Sequence, residues 1–179
     1  MERQLIPLYL ILAFIGFRML MAVFYPFFVL IHELGHAIPA QLSGKKEVKI
    51  AIGKGPEVVA FSFLGIQFSF AGNKLHLGYT VFKKNPGDGR LTQCFIIGTA
   101  PVISLTIAIA GVFLWKAVPF STATYFVLAS AWLANLHITF NALWPEGGKY
   151  TSAESENNDN YCYRSDLRNL LDVLRGNSE

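Results

Sequence analysis

The stretch Phe27-Phe28-Val29-Leu30-Ile31-His32-Glu33-Leu34-Gly35-His36-Ala37-Ile38 sets two imidazoles and one carboxylate into a run that is otherwise apolar. On a helix, residues four apart share a face about one turn apart. His32 and His36 can therefore present ring nitrogens to one metal ion while Glu33 projects beside them. An ionisable side chain at bilayer depth costs on the order of 2.5–3.5 kcal/mol even on lenient insertion scales, so such a cluster marks a site rather than a lipid-facing surface. Zinc suits two imidazole nitrogens, a carboxylate oxygen and an open position for water. Water bound there has its pKa lowered toward about 7; a glutamate placed like Glu33 takes its proton during attack on an amide carbonyl, then protonates the leaving amine. The pattern predicts one catalytic Zn2+, His32 and His36 as ligands and Glu33 as general base.

The rest of the chain supports a membrane setting for this motif. Of 179 residues, 53% are apolar and only 15% charged, with a mean hydropathy of +0.39. This composition lies toward the membrane class and predicts one membrane-embedded domain over 1–179. The formal charge of +3 and the pI near 8.9 are not drawn into a basic stripe, which argues against nucleic acid as a partner. Cys94 and Cys162 lie far apart with no CxxC spacing, so neither a disulfide framework nor a thiolate metal site is expected. The N-terminal apolar run continues past Arg18 into the motif without a small-x-small cleavage site, so the segment reads as retained rather than as a signal peptide.

A hydrocarbon core of about 30 Å needs roughly 20 helical residues. Three regions qualify: 5–42, carrying the motif, then 91–115 and 120–144. The first exceeds one straight span, which predicts a tilted helix from near Ile15 preceded by an extra interfacial or re-entrant helix, with Arg18 and Pro26 as interruptions. Between the first two spans, 43–90 carries β-branched and aromatic residues punctuated by Gly53, Gly55, Gly65, Gly72 and Gly78, the texture of a small β-hairpin or meander. Its apolar content is high for a hairpin alone in water, so it should pack on the helices or dip into the interface. Region 145–179 is a polar tail ending in a short helix capped by Ser165. Leu167, Leu170, Leu171 and Leu174 should share one face of it, making an amphipathic lid or surface anchor. The expected fold class is a mainly α-helical polytopic membrane protein with three core spans, a small hairpin and a C-terminal amphipathic helix.

The 43–90 loop holds Lys45, Lys46, Lys49, Lys54, Lys74, Lys83, Lys84 and Arg90, whereas the turn between the second and third spans holds Lys116. This bias predicts a cytoplasmic hairpin and, by counting spans, a cytoplasmic tail in a multi-pass cell-membrane protein. The motif lies toward the same side, so a carboxylate beyond Trp144 can return to complete the metal site. Candidates are Glu146, Glu154, Glu156, Asp159 and Asp166. An acid at Asp166, in a first helical turn, is accounted for by the helix dipole alone. Glu146, near the helix exit, and Asp159, in a turn-forming Asn157-Asn158-Asp159-Asn160 run, are not separated by their chemistry.

These residues resemble the site-2 protease family of intramembrane zinc metalloproteases over most of 25–175. The resemblance rests on His32-Glu33-Leu34-Gly35-His36-Ala37, Leu77-Gly78-Tyr79, Gly98-Thr99-Ala100-Pro101, Asn135, and Asn141-Ala142-Leu143-Trp144-Pro145. Members of that family follow the last element with an Asp-Gly pair whose aspartate is the third zinc ligand. The best match here is Asp159-Asn160, after a longer insertion, and Asn can replace Gly where a left-handed backbone is needed. The resemblance thus implies Asp159 as third ligand, Asn141 as a contact to the substrate backbone, and a hairpin edge on which an unwound substrate strand can pair. It implies peptide-bond hydrolysis within or near transmembrane segments of membrane-protein substrates, with the lipid bilayer and a regulatory membrane partner as further contacts. The competing expectation is a non-catalytic zinc-binding membrane protein of the same fold with a regulatory or assembly role.

Other polar and small residues have plainer roles. His137 is expected in an interhelical hydrogen bond, His76 on the solvent side of a strand, and Asn135 as glue between helices. Gly98, Ala100 and Gly111 are expected to permit close helix packing.

Overall fold

The computed structural model describes residues 6–83, 88–117, 121–144 and 166–176. Its elements run α1 (Ile6–Leu42), β1 (Lys46–Phe63), β2 (Ile66–Lys83), α2 (Arg90–Ala117), α3 (Thr122–Leu143) and α4 (Asp166–Arg175). Three of the helices are long and apolar enough to cross a membrane, over Tyr9–Leu42, Arg90–Lys116 and Thr122–Leu143. Large apolar side chains such as Phe14, Met19, Val23, Phe27, Val102 and Phe113 face outward from α1 and α2.

The expected break in the first region does not occur. α1 is one 37-residue helix with Pro26 and Pro39 inside it, about 55 Å long at 1.5 Å per residue. A proline removes one backbone bond and crowds the preceding turn. Neighbouring helices allow an apolar helix to continue past it. Thus no separate interfacial or re-entrant helix precedes the motif among the described residues.

α1 is the central element and packs against both α2 and α3. It runs opposite to α2, with His32 beside Ser104 and His36 beside Ile96. Its direction matches that of α3, with Phe17 against Phe126 and Tyr25 against His137. The approach of α1 to α2 is set by Gly35, where an added Cβ would lie 2.6 Å from the Ala100 Cα. Gly111 has its expected packing role, since the Trp132 indole fills the space beside it and donates to the Ala108 carbonyl at 2.8 Å. Gly98 does not, because nothing lies within 4 Å of where its Cβ would be. Asn135 does join helices, its Nδ2 donating to the Ser104 carbonyl at 3.0 Å.

The hairpin is longer than expected, with two 18-residue strands paired antiparallel. Leu64 and Gly65 connect them at φ 49° and 80°, the pair of positive φ values of a type I′ turn. A bend at Gly53, φ 90°, folds the ribbon back over itself; a Cβ there would lie 2.7 Å from the Asn73 carbonyl oxygen, so only glycine fits. Ile50 consequently stands opposite both Thr80 and Phe68, and Ile52 opposite both Gly78 and Phe70. Alternation does the rest: Val48, Ile50 and Ile52 are buried and join Ile66 and Phe68 in a core completed by Val29, Ala37 and Ala40 of α1. The far end stays outside this core, with Val58, Phe63 and Leu64 exposed and Phe61 stacked on Phe68 at 5.0 Å.

α4 is not a detached surface anchor, because it docks on α2 and α3. Val173 is its buried residue, whereas Leu174, expected on the apolar face, is exposed. The helix stops at Gly176, φ 79°, whose N–H donates to the Val173 carbonyl. The proposed cap Ser165 lies outside the described residues. Finally, α1 touches both β2 and α3, while β2 and α3 do not touch each other among the described residues. α1 therefore stands between the sheet and α3.

Candidate metal centre

His32 and Glu33 are buried in the middle of this arrangement. Helical spacing puts both imidazoles on one face of α1, their ring centroids 5.2 Å apart. The docking of α4 brings the Asp166 carboxylate to them. His32 Nε2 lies 2.9 Å from one Asp166 oxygen and His36 Nε2 lies 3.2 Å from the other. One ligand atom from each of the three residues falls within 4.8 Å of the others, so His32, His36 and Asp166 can hold a metal ion. Tetrahedral bonds of about 2.0 Å set neighbouring ligand atoms about 3.3 Å apart, and the two nitrogen-to-carboxylate separations are of that order.

The outer contacts suit the same purpose. His36 Nδ1–H donates to the Ile96 carbonyl at 2.9 Å, so in the neutral ring the lone pair sits on Nε2, the nitrogen that faces Asp166. His32 Nδ1 is 2.9 Å from the buried Ser104 hydroxyl. Asn135 then binds the Ser104 carbonyl, which ties α1, α2 and α3 together behind the site. Such second contacts orient metal-binding imidazoles and fix their tautomers. Burial disfavours the charged form of Asp166, but the His36 charge and hydrogen bonds from His32 and His36 outweigh it and hold the carboxyl below the usual carboxylate range.

Glu33 projects toward the sheet rather than toward Asp166. Thr80 Oγ1 lies 2.8 Å from its Oε2 and 3.0 Å from its carbonyl oxygen. Gly78, two residues earlier on β2, makes room for it: an added Cβ would meet Val29 at 2.3 Å and the Glu33 Cγ at 3.0 Å. The sequence pattern identified the two histidines and the glutamate but not Thr80, Ser104 or the Ile96 carbonyl, which become visible only once the elements are packed.

The remaining expected site residues divide. Asp159 and Glu146 lie outside the described residues, as does Cys162. Asp166, whose place in a first turn the helix dipole also explains, is the carboxylate found beside the histidines. Asn141 is exposed on α3, and its Nδ2 lies 3.2 Å from His137 Nδ1. His137 therefore bonds within its own helix, rather than between helices as expected, while its ring meets Tyr25 edge-on. His76 is exposed, as expected of its strand position, yet its ring also lies against Tyr25. No protein-family model matches the chain, and neither does any curated protein.

Proposed function

We propose that this chain is an intramembrane zinc metalloendopeptidase that hydrolyses peptide bonds within or near transmembrane segments of membrane proteins. The observation that carries the reading is the convergence of His32, His36 and Asp166 beside Glu33 on helices apolar enough to span a bilayer. Two imidazoles and a carboxylate oxygen are the donor set of a catalytic zinc with an open position. The resemblance of the motif and of the Asn141–Pro145 element to site-2 proteases supports the same assignment.

His32, His36 and Asp166 would hold the ion. Zinc, when bound, supplies Lewis acidity that makes a water nucleophilic near neutral pH and polarises a carbonyl. Glu33 accepts the proton from the attacking water and returns it to the departing amine, while Thr80 keeps its carboxylate aimed. A helical substrate hides its carbonyls in its own hydrogen bonds, so the segment to be cut must be extended. In this reading the extended segment lies over α1 between β2 and α3, with β2 offering a backbone ladder and the exposed Asn141 a side-chain amide. The basic residues of the 43–90 loop favour a cytoplasmic hairpin and tail.

Glu33→Gln separates metal binding from chemistry. The variant should retain zinc at the wild-type stoichiometry, and a membrane-proteome comparison should show an uncut precursor accumulating with it. Equal cleavage by wild type and variant would defeat the proposed mechanism.

A further inference from the structure

A second polar cluster lies along α1 away from the candidate metal centre. Tyr25 of α1 meets His76 of β2 on one side, with ring centroids 6.4 Å apart at 66°. On the other side it meets His137 of α3, 5.5 Å away at 85°. Asn141 stands one turn further along α3 with its Nδ2 on His137 Nδ1. As that nitrogen accepts, the proton of a neutral His137 sits on Nε2 and remains a donor. Arg18, two turns before Tyr25 on the same face of α1, is within electrostatic reach of the phenol. The donors are thus a phenol, imidazole N–H groups and an amide, with a guanidinium behind them.

The spacing relates this cluster to the catalytic residues. Tyr25 pairs with His76, Val29 with Gly78, and Glu33 with Thr80. From residue 25 to 33 a helix advances about 12 Å, and from 76 to 80 a strand advances about 13 Å. Helix and strand therefore run in step, and an extended peptide laid along β2 on its α3 side keeps the same pitch. A substrate side chain three or four residues from the bond beside Glu33 comes level with Tyr25.

We propose that Tyr25, His76, His137 and Asn141 form a specificity subsite for an oxygen-acceptor side chain, Asp, Glu, Asn or Gln, three or four residues from the scissile bond. The proposal rests on the protease reading above. It accounts for polar side chains from three elements meeting around Tyr25, and a site that donates to a substrate oxygen selects against side chains lacking one.

The test uses the zinc-loaded full chain in detergent micelles and a library of 24-residue Leu/Ala-rich peptides randomised over Leu, Phe, Lys, Asn and Asp. Cut positions are read by mass spectrometry. Wild type should enrich Asp or Asn about tenfold at the third or fourth residue on one side of the cut. Tyr25→Phe, which keeps the ring, should reduce that enrichment, and His76→Gln/His137→Leu should abolish it while zinc content stays at the wild-type level. Cleavage with no preference at those positions, or enrichment unchanged in both variants, overturns the subsite and leaves the protease reading intact. Should no peptide be cut, the protease reading is the one that fails. Binding then decides the subsite: Glu33→Gln protein should bind an Asp-bearing fluorescent peptide about tenfold more tightly than its Leu counterpart, and equal binding overturns the proposal.

Discussion

Thr80 Oγ1 sits 2.8 Å from Glu33 Oε2 and 3.0 Å from the Glu33 carbonyl oxygen, so one hydroxyl of the sheet lies against both the side chain and the turn of α1 that carries it. A hydroxyl has one proton, and the shorter contact goes to the carboxylate. On the proposed protease reading the hairpin is thereby part of the catalytic machinery and not a cover over it. A hydrogen bond to a charged group contributes about 1.5–3 kcal/mol. Thr80→Val should lower cleavage about 10- to 100-fold with zinc content unchanged, whereas Thr80→Ser should stay near wild type. Parallel measurements of turnover and metal stoichiometry check both outcomes.

Asp166 should be the carboxylate whose removal empties the site. Loss of an outer-shell partner already costs about 10- to 100-fold in metal affinity, and loss of a direct ligand should exceed that. Asp166→Ala should therefore weaken zinc binding by more than about 100-fold, while Asp159→Ala and Glu146→Ala retain it. Competition titration against a chelator gives the three values. Zinc lost in Asp159→Ala and kept in Asp166→Ala would reverse the assignment.

How much of this was legible in the sequence follows from the range of each interaction. His32, Glu33 and His36 span little more than one helical turn, and a local pattern is sufficient to align them. The β-branched residues Val48, Ile50 and Ile52 likewise marked a strand, and all three are buried, as is Ala51 between them. Asp166 is separated from His32 by 134 positions, and its approach depends on which face of α4 docks on α2 and α3. That face includes Val173 and excludes Leu174, a distinction that leucine spacing does not carry. The unbroken course of α1 through Pro26 was also illegible, since whether a proline ends a helix depends on the neighbours that support it.

Acidity gives a further check on Asp166 in the metal-free protein. Burial alone would raise its pKa, but the imidazoles bring it below the ordinary value of about 3.9. A depressed folded pKa adds stability above the unfolded value and loses it as pH falls through the folded one. Docking of α4 by this carboxylate should therefore persist at neutral pH and weaken only in strong acid. Asp166→Asn should remove the added acid sensitivity below about pH 4. Hydrogen exchange of the α4 amides at pH 3 and pH 6, in both proteins, measures this directly.

Two glycines inside helices should respond in opposite ways to the same change. Gly35 faces the Ala100 backbone, where a methyl group would stand 2.6 Å from Cα and 2.9 Å from Cβ. Neither atom can rotate away, so α1 and α2 must separate, and forced overpacking costs about 1–3 kcal/mol. The separation also lengthens the path from His32 to Ser104 and from His36 to the Ile96 carbonyl, since both partners lie on α2. Gly35→Ala should thus lower thermal stability and zinc affinity together. Gly98, also on α2, has open space where its side chain would stand. Replacing a helical glycine by alanine removes about 0.8–1.0 kcal/mol of unfavourable propensity, so Gly98→Ala should raise the melting temperature and leave zinc affinity alone. Thermal unfolding with and without zinc distinguishes the two, and a stable Gly35→Ala protein with normal zinc binding would show that the contact with Ala100 does not set the geometry of the site.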